Sequence, residues 1–282
     1  MGYGDRLMAI GDAAAIHAEH GGKVAIGDGV RAEWCTLCEG LDFVAKPEEV
    51  TPDTRWVISA NSMRPYIDYP RMRAELDHLG HDGARFPQKK LVGLLGRYLF
   101  RSDYRAKPAP VVLNAVEREI AAAGAAAPYI AIEPYIKARA PVNKQWPVER
   151  FHDVAAILAG HRRVVQVSAP GLPDLYPGIE RANPASFRHA MAWIAGAQLY
   201  IGPEGGLHHA AAAVGTPAVV IFGGFTDPKV VGYAAHVNLT GDARYACGTK
   251  QRSCPHCVKA LRAITVNDVV TEAQRLLTRP AR

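Results

Sequence analysis

The chain has 282 residues, 49% of them hydrophobic and 21% charged, the composition of a globular protein with enough length to bury the core of one large domain or two small ones. Its longest apolar runs, such as Ala210 to Val214, fall far short of the about eighteen residues a membrane-spanning helix needs, and Asp5 and Arg6 stand where a secretory signal would be apolar. A net charge of +6 and a pI of about 9.1 favour anionic partners such as nucleotides, nucleic acids or phosphorylated glycans, although a cluster such as Arg97 to Lys107 reads equally well as a solvated face.

In chain order, Met8–Ala18 has a helical pattern, Lys23–Ile26 and Arg55–Ser59 read as strands, and Arg71–Leu79 reads as a second helix. The stretch Lys107–Pro110 reads as a linker or turn. An Ala-rich helix over Asn114–Ala127 ends near Pro128. We place a domain boundary there, between residues 1–127 and residues 128–282. The second half is the more regular. Strands at Tyr129–Glu133, Val164–Ser168, Leu199–Gly202, Ala218–Phe222 and His236–Leu239 alternate with helices at Val148–Ala159, Ser186–Ala195 and Gly206–Val214, and a last helix at Val266–Leu277 follows a cap at Thr265. Short buried strands alternating with helices imply a parallel, doubly wound α/β sheet, which binds ligands at the carboxyl ends of its strands.

The most informative segment runs from Tyr200 to Pro228. An apolar strand enters Gly202-Pro203-Glu204-Gly205-Gly206, and a helix opens at Leu207-His208-His209. Glycines at such a turn let a ligand approach the backbone, and the unpaired N–H groups and dipole of the first helical turn favour a phosphate. The plain alternative is a tight turn with no ligand. Glu204 at the mouth would repel a phosphate, so it is better suited to accept hydrogen bonds from sugar hydroxyls. His208 and His209 point in different directions on a helix, so one of them, His209 in our reading, lines the site. A second glycine loop runs from Gly223 to Pro228. Thr226 and Asp227 could cap the next helix, which is the bland reading, or border the same cleft with Gly223. No G-x-G-x-x-G opens a strand–helix unit with an acid about twenty residues on, which argues against a dinucleotide oxidoreductase.

These segments resemble glycosyltransferase family 9, the bacterial heptosyltransferases of lipopolysaccharide core synthesis. The family pattern Gly-x-Asp-Thr-Gly-x-x-His, an Ala-rich helix, Gly-x-Pro, a strand and Gly-x-Thr-Asp-Pro is similar to Gly202–His209, Gly215-Thr216-Pro217 and Gly223–Pro228. Glu204 replaces the family's Asp and Gly205 its Thr, which keeps an acid and loses a hydroxyl. Lys144-Gln145-Trp146-Pro147 with Phe151 is similar to the family's Lys-x-Trp-Pro motif, and Gly4-Asp5 resembles its N-terminal Gly-Asp. The resemblance covers Tyr129–Val270 well and the first part of the chain thinly. It implies a GT-B-like fold of two Rossmann-like, doubly wound domains, the N-terminal one small or truncated. It also implies transfer of a sugar, heptose among the options, from a nucleotide-diphosphate donor to an acceptor hydroxyl, inverting and without metal in the chemistry. Asp5 would be the base, and Lys144 with Glu204, Gly205, Gly206 and His209 would hold the donor. The acceptor would be a glycan or lipid-linked glycan. The basic charge leaves a nucleic-acid acceptor open, and a nucleotide-sugar binder without turnover is a further alternative.

Five cysteines without a secretory signal suggest a reducing compartment, hence a cytoplasmic protein, with the inner membrane surface as an option. Cys247, Cys254 and Cys257, with His256, lie close together in what reads as a polar loop, and this spacing suits a structural Zn or Fe. Free thiols or a disulfide are the alternatives. Cys35 and Cys38 form a second C-x-x-C whose relation to the first is not legible.

Overall fold

The protein is described from a computed structural model that covers residues 2–59, 63–137, 140–241, 246–250 and 252–278. Its first half contains helix α1 (Tyr3–His20), strand β1 (Val24–Gly27), strand β2 (Arg55–Ile58), helices α2 (Tyr69–His78) and α3 (Gln88–Leu95), and helix α4 (Ala115–Ala126). Its second half runs β3 (Tyr129–Ile132), α5 (Val148–Ala159), β4 (Arg163–Val167), β5 (Glu180–Ala182), α6 (Phe187–Ala195), β6 (Leu199–Pro203), α7 (Gly206–Ala213), β7 (Ala218–Phe222), α8 (Pro228–Val231), β8 (Val237–Thr240), α9 (Pro255–Ala263) and α10 (Val266–Leu277).

The six strands of the second half form one parallel sheet in the order β5-β4-β3-β6-β7-β8. The chain moves outward from β3 through β4 to β5, then returns beside β3 at β6 and winds the other way. The order therefore reverses between β3 and β6, where a doubly wound sheet opens its ligand crevice. Helix α10, capped by the Thr265 side chain, packs with α5 on one face. Trp146 and Phe151 are fully buried beneath them, with the rings edge-to-face at 4.9 Å. Among the described residues, the expected smaller N-terminal sheet has two parallel strands, β1 and β2.

One core joins the two halves. Leu7, Met8 and Ile10 of α1 are at most 2% exposed and pack in the same apolar cluster as Val24, Ile26, Tyr200, Leu207 and Ala211. Full burial of side chains of this size contributes about 1.5–3 kcal/mol each, so α1 is anchored both on the small sheet and on α7. Helix α4 packs on α6. There the Arg188 guanidinium donates to both Glu117 carboxylate oxygens at 2.6 Å, to Thr36 O at 2.7 Å and to Val112 O at 2.6 Å. This buried cation ties α6, α4 and the turn at Thr36–Cys38 into one unit.

The first helix differs from expectation. The spacing put its start at Met8, but α1 begins at Tyr3 because Gly2 caps it and its N–H donates to Asp5 Oδ2 at 3.1 Å. The segment expected as a polar cysteine loop ends in α9, with Pro255 in the first turn, where its missing N–H costs nothing. Helix α3 and the edge strand β5 were not anticipated: α3 is short and carries Gly93 in its middle, and β5 is three residues, Glu-Arg-Ala.

Candidate active site

A cavity of about 710 Å³ opens at the carboxyl ends of β3 and β6. It brings together Asp5, Lys144, Glu204, Gly205, Gly206 and His209 from distant parts of the chain. Two helix N-termini meet at its wall. A Cβ on Gly4 of α1 would lie 2.7 Å from His209 Cδ2 and 3.3 Å from Gly206 Cα of α7, so this approach requires glycine. Tyr3 stacks on Phe187 of α6 with ring centroids 4.4 Å apart. Gly223 and Asp227 are not among the lining residues. Asp227 caps α8 by accepting from Lys229 N at 2.8 Å, and Gly223 lies against Leu261. Thr226, expected at this edge, does line the cavity.

On the N-terminal wall, Asp5 stands in the first turn of α1 and meets two residues that sequence reasoning missed. Tyr66 donates from its hydroxyl to Asp5 Oδ1 at 2.7 Å, and Arg64 Nε lies 3.1 Å from Asp5 Oδ2. Burial opposes ionisation of this carboxyl, but the Arg64 charge and the hydrogen bonds from Tyr66 and Gly2 outweigh it and hold it below the usual carboxylate range. Nothing in the sequence marks Arg64 and Tyr66, which reach Asp5 from a loop ahead of α2.

On the opposite wall, Lys144 Nζ is 2.5 Å from Glu204 Oε2 and 4.8 Å from the centre of the Phe225 ring. Thr226 donates to the same Glu204 oxygen at 3.2 Å. Glu204 is therefore engaged by a cation and a hydroxyl in this state. Glu204, with which Lys144 pairs, also lies with His208 and His209 in a grouping whose ligand atoms are within 4.8 Å of one another.

The N–H of Gly205 donates to His208 Nδ1 at 2.9 Å, and His208 Nε2 is 3.1 Å from Val231 O. An Nδ1 that accepts leaves the proton on Nε2, which then donates to Val231, and burial keeps the ring neutral. Gly205 N–H, expected to face a phosphate, is thus already used. The N–H groups of the first turn of α7, without partners inside the helix, remain for an anion. His209 lines the cavity while its Nδ1 pairs with the Tyr233 hydroxyl at 2.8 Å, and burial pushes its pKa far down.

Glu133, read only as the end of a strand, also lines the cavity and accepts from the Tyr200 hydroxyl. Burial pushes its carboxyl up to about 8, against the smaller opposing effect of the Tyr200 hydrogen bond.

A separate cluster lies behind Phe225, where Cys247, Cys254, His256 and Cys257 have ligand atoms within 4.8 Å of one another. Cys247 Sγ is 3.0 Å from Cys257 Sγ, and a hydrogen bond from the Cys257 thiol lowers Cys247 to about 5. Three sulfurs and an imidazole at this spacing fit a tetrahedral Zn or Fe. Cys35 and Cys38, 3.9 Å apart at Sγ, belong to the core around α1 instead.

Among the described residues no helix is long and apolar enough to cross a membrane. A search of curated proteins by sequence found no match. Solved structures share the fold. The chain is similar to ADP-heptose LPS heptosyltransferase II of E. coli (TM-score 0.55, 15% identity, 98% of this chain and 96% of that one covered). It is also similar to a family 9 glycosyltransferase of Veillonella parvula (TM-score 0.57, 13% identity, 98% and 94% covered). A third likeness is to TibC, an iron-containing dodecameric glycosyltransferase of enterotoxigenic E. coli (TM-score 0.57, 15% identity, 98% and 73% covered). The model of glycosyltransferase family 9 (heptosyltransferase) matches residues 98–262, which span Lys144, the α7 loop and the cysteine cluster and leave Asp5, Arg64 and Tyr66 outside. With more than half of its length matched and its sheet crevice built around that segment, the chain belongs to glycosyltransferase family 9, the heptosyltransferase family, and is a nucleotide-sugar glycosyltransferase.

Proposed function

We propose that this enzyme transfers a sugar with inversion from a nucleoside-diphosphate donor to the hydroxyl of a glycan acceptor, with Asp5 as general base. The observation that carries this reading is that one cavity sets an ionised carboxylate opposite a lysine and a helix N-terminus. The donor diphosphate would lie against Lys144 and the first N–H groups of α7, where cation and dipole stabilise the charge that develops as the sugar–phosphate bond breaks. Its arrival would draw Lys144 from Glu204, which then accepts hydrogen bonds from the donor sugar. The acceptor hydroxyl attacks the anomeric carbon from the side of α1, and its proton passes to Asp5. Because Arg64 keeps Asp5 weakly basic, this transfer would come late, once the forming C–O bond has acidified the hydroxyl. The assignment of residues 1–127 to the acceptor and 128–282 to the donor is part of the proposal, as is a cytoplasmic site of action.

The cysteine cluster would hold a structural zinc or iron through Cys247, Cys254 and Cys257, with His256 as the fourth ligand, and would support the loop behind Phe225. No step of the sugar transfer is assigned to it.

Asp5→Asn tests the base. Asparagine keeps the size of Asp5 and an oxygen that accepts from Tyr66 or Gly2, so donor binding should persist while turnover falls by about 10²–10⁴. Donor hydrolysis by water serves as the assay. Turnover equal to wild type would remove Asp5 from the mechanism.

A further inference from the structure

Glu133 is the first residue after β3, and its N–H donates to Ile201 O of β6 at 2.9 Å. It therefore sits where the strand order reverses, on the floor of the crevice. The fold makes room for it. A Cβ on Gly202 would collide with the Tyr200 hydroxyl and lie 3.2 Å from Glu133 Cβ, so only glycine leaves space for the Tyr200–Glu133 pair. No cation pairs with this carboxyl among the described residues, and Lys144 is committed to Glu204. The groups around it are few. Tyr200 faces it from β6, with its own ionisation suppressed by burial. The uncharged Ser168, directly after β4, lines the same cavity. Lys137 and Lys144, after β3, and Glu204, after β6, open on the same cavity.

An ionised carboxylate on this floor would repel the diphosphate that the crevice is otherwise arranged to attract. A carboxylic acid offers a donor instead. We propose that Glu133 meets the nucleotide-sugar donor as a neutral acid and donates its proton in a hydrogen bond to a phosphate oxygen. The inference rests on the donor site described above and adds to it a residue that positions the diphosphate and makes its binding depend on pH. No covalent bond changes: the proton stays on Glu133. The burial that raises this carboxyl to about 8 keeps it protonated at neutral pH. Donor affinity is then full below that value and falls as pH rises through it. A terminal phosphate titrates near about 6, so the charge of the nucleotide is constant across this window.

Two measurements test this. The first needs no ligand. Infrared difference spectroscopy of the whole protein should show the C=O stretch of a protonated carboxyl at neutral pH, lost on raising the pH through about 8 and absent from Glu133→Gln. The second is calorimetric titration with ADP and with UDP on either side of that pH. Wild-type affinity should fall about tenfold one unit above the midpoint, because only the protonated form binds. Glu133→Gln, a neutral donor at every pH, should bind as the wild type does at neutral pH and show no such fall. Absence of the infrared band, or an equal fall in both proteins, overturns the role of Glu133 and leaves the donor site standing. A band that is present while neither nucleotide binds overturns the donor-site reading, and the phosphate contact with it.

Discussion

Two carboxyl groups of the cavity, Asp5 on the α1 wall and Glu133 on the floor, are held in opposite states. At the start of α1, Asp5 is surrounded by a guanidinium, a phenol and a backbone N–H, and it stays ionised in spite of burial. At the end of β3, Glu133 is enclosed to a similar degree, but its partner is one hydroxyl, and burial wins. Sequence gives both residues the same acidic group. What separates them is whether a cation arrives from elsewhere in the chain. This contrast suits the two tasks assigned above: a proton acceptor beside the acceptor sugar and an uncharged donor beside phosphate.

The largest effect is expected from separating the walls. Arg188 links α6 and α4 to the N-terminal turn at Thr36, and it and Glu117 are 8% and 1% exposed. Arg188→Ala leaves a buried carboxylate alone and should cost about 3–5 kcal/mol of stability; urea unfolding with an unchanged midpoint would show that the link is not needed. Next, Lys144→Ala removes the cation from the donor wall only. Nucleoside diphosphate affinity should fall about tenfold or more, the size of a hydrogen bond to a charged group, and calorimetry giving wild-type affinity would place Lys144 outside the site. Removing metal with a chelator should lower Tm by destabilising the loop behind Phe225, with little change in nucleotide affinity. Elemental analysis that finds neither zinc nor iron in protein prepared without chelator would discard the cluster as a metal site. The smallest effect sharpens the contrast directly. Arg64→Ala takes away the cation that keeps Asp5 ionised, so its pKa should rise. Since the carboxylate is the active form, the acid limb of kcat/KM should move to higher pH, and a pH–rate profile with the limb unmoved would deny Arg64 this influence.

The C-terminal sheet was legible because its signals are local. Val148–Ala159 and Val266–Leu277 carry apolar stripes at helical spacing with Pro147 and Thr265 at their starts, and both helices have those bounds. The glycine loop after β6 could be located, and Lys144 and Glu204 could be named. Their ion pair could not, because it depends on the height at which one loop crosses another. The N–H of Gly205 looked available because the sequence does not say that the His208 side chain will turn back and cap the helix. Arg64 and Tyr66 carry no pattern of their own. Glu133 did carry a signal: an acid that ends an apolar strand directly before Pro134. Its protonation state is set by atoms of several elements at once, which no window of sequence contains.

The burial of α1 against α7 bears on the order in which the protein is made. Leu7, Met8 and Ile10 are synthesised about 200 residues before Leu207 and Ala211, yet they share a core with them. Until β6 and α7 have been synthesised, the nascent chain carries a helix whose apolar face can reach only part of its core, the N-terminal segments around β1 and β2. Such separated contacts are slow to close and leave sticky surface exposed meanwhile. Arrested chains that end before Gly206 should therefore be captured by chaperones and cut by protease within α1, whereas chains released beyond Phe222 should protect it.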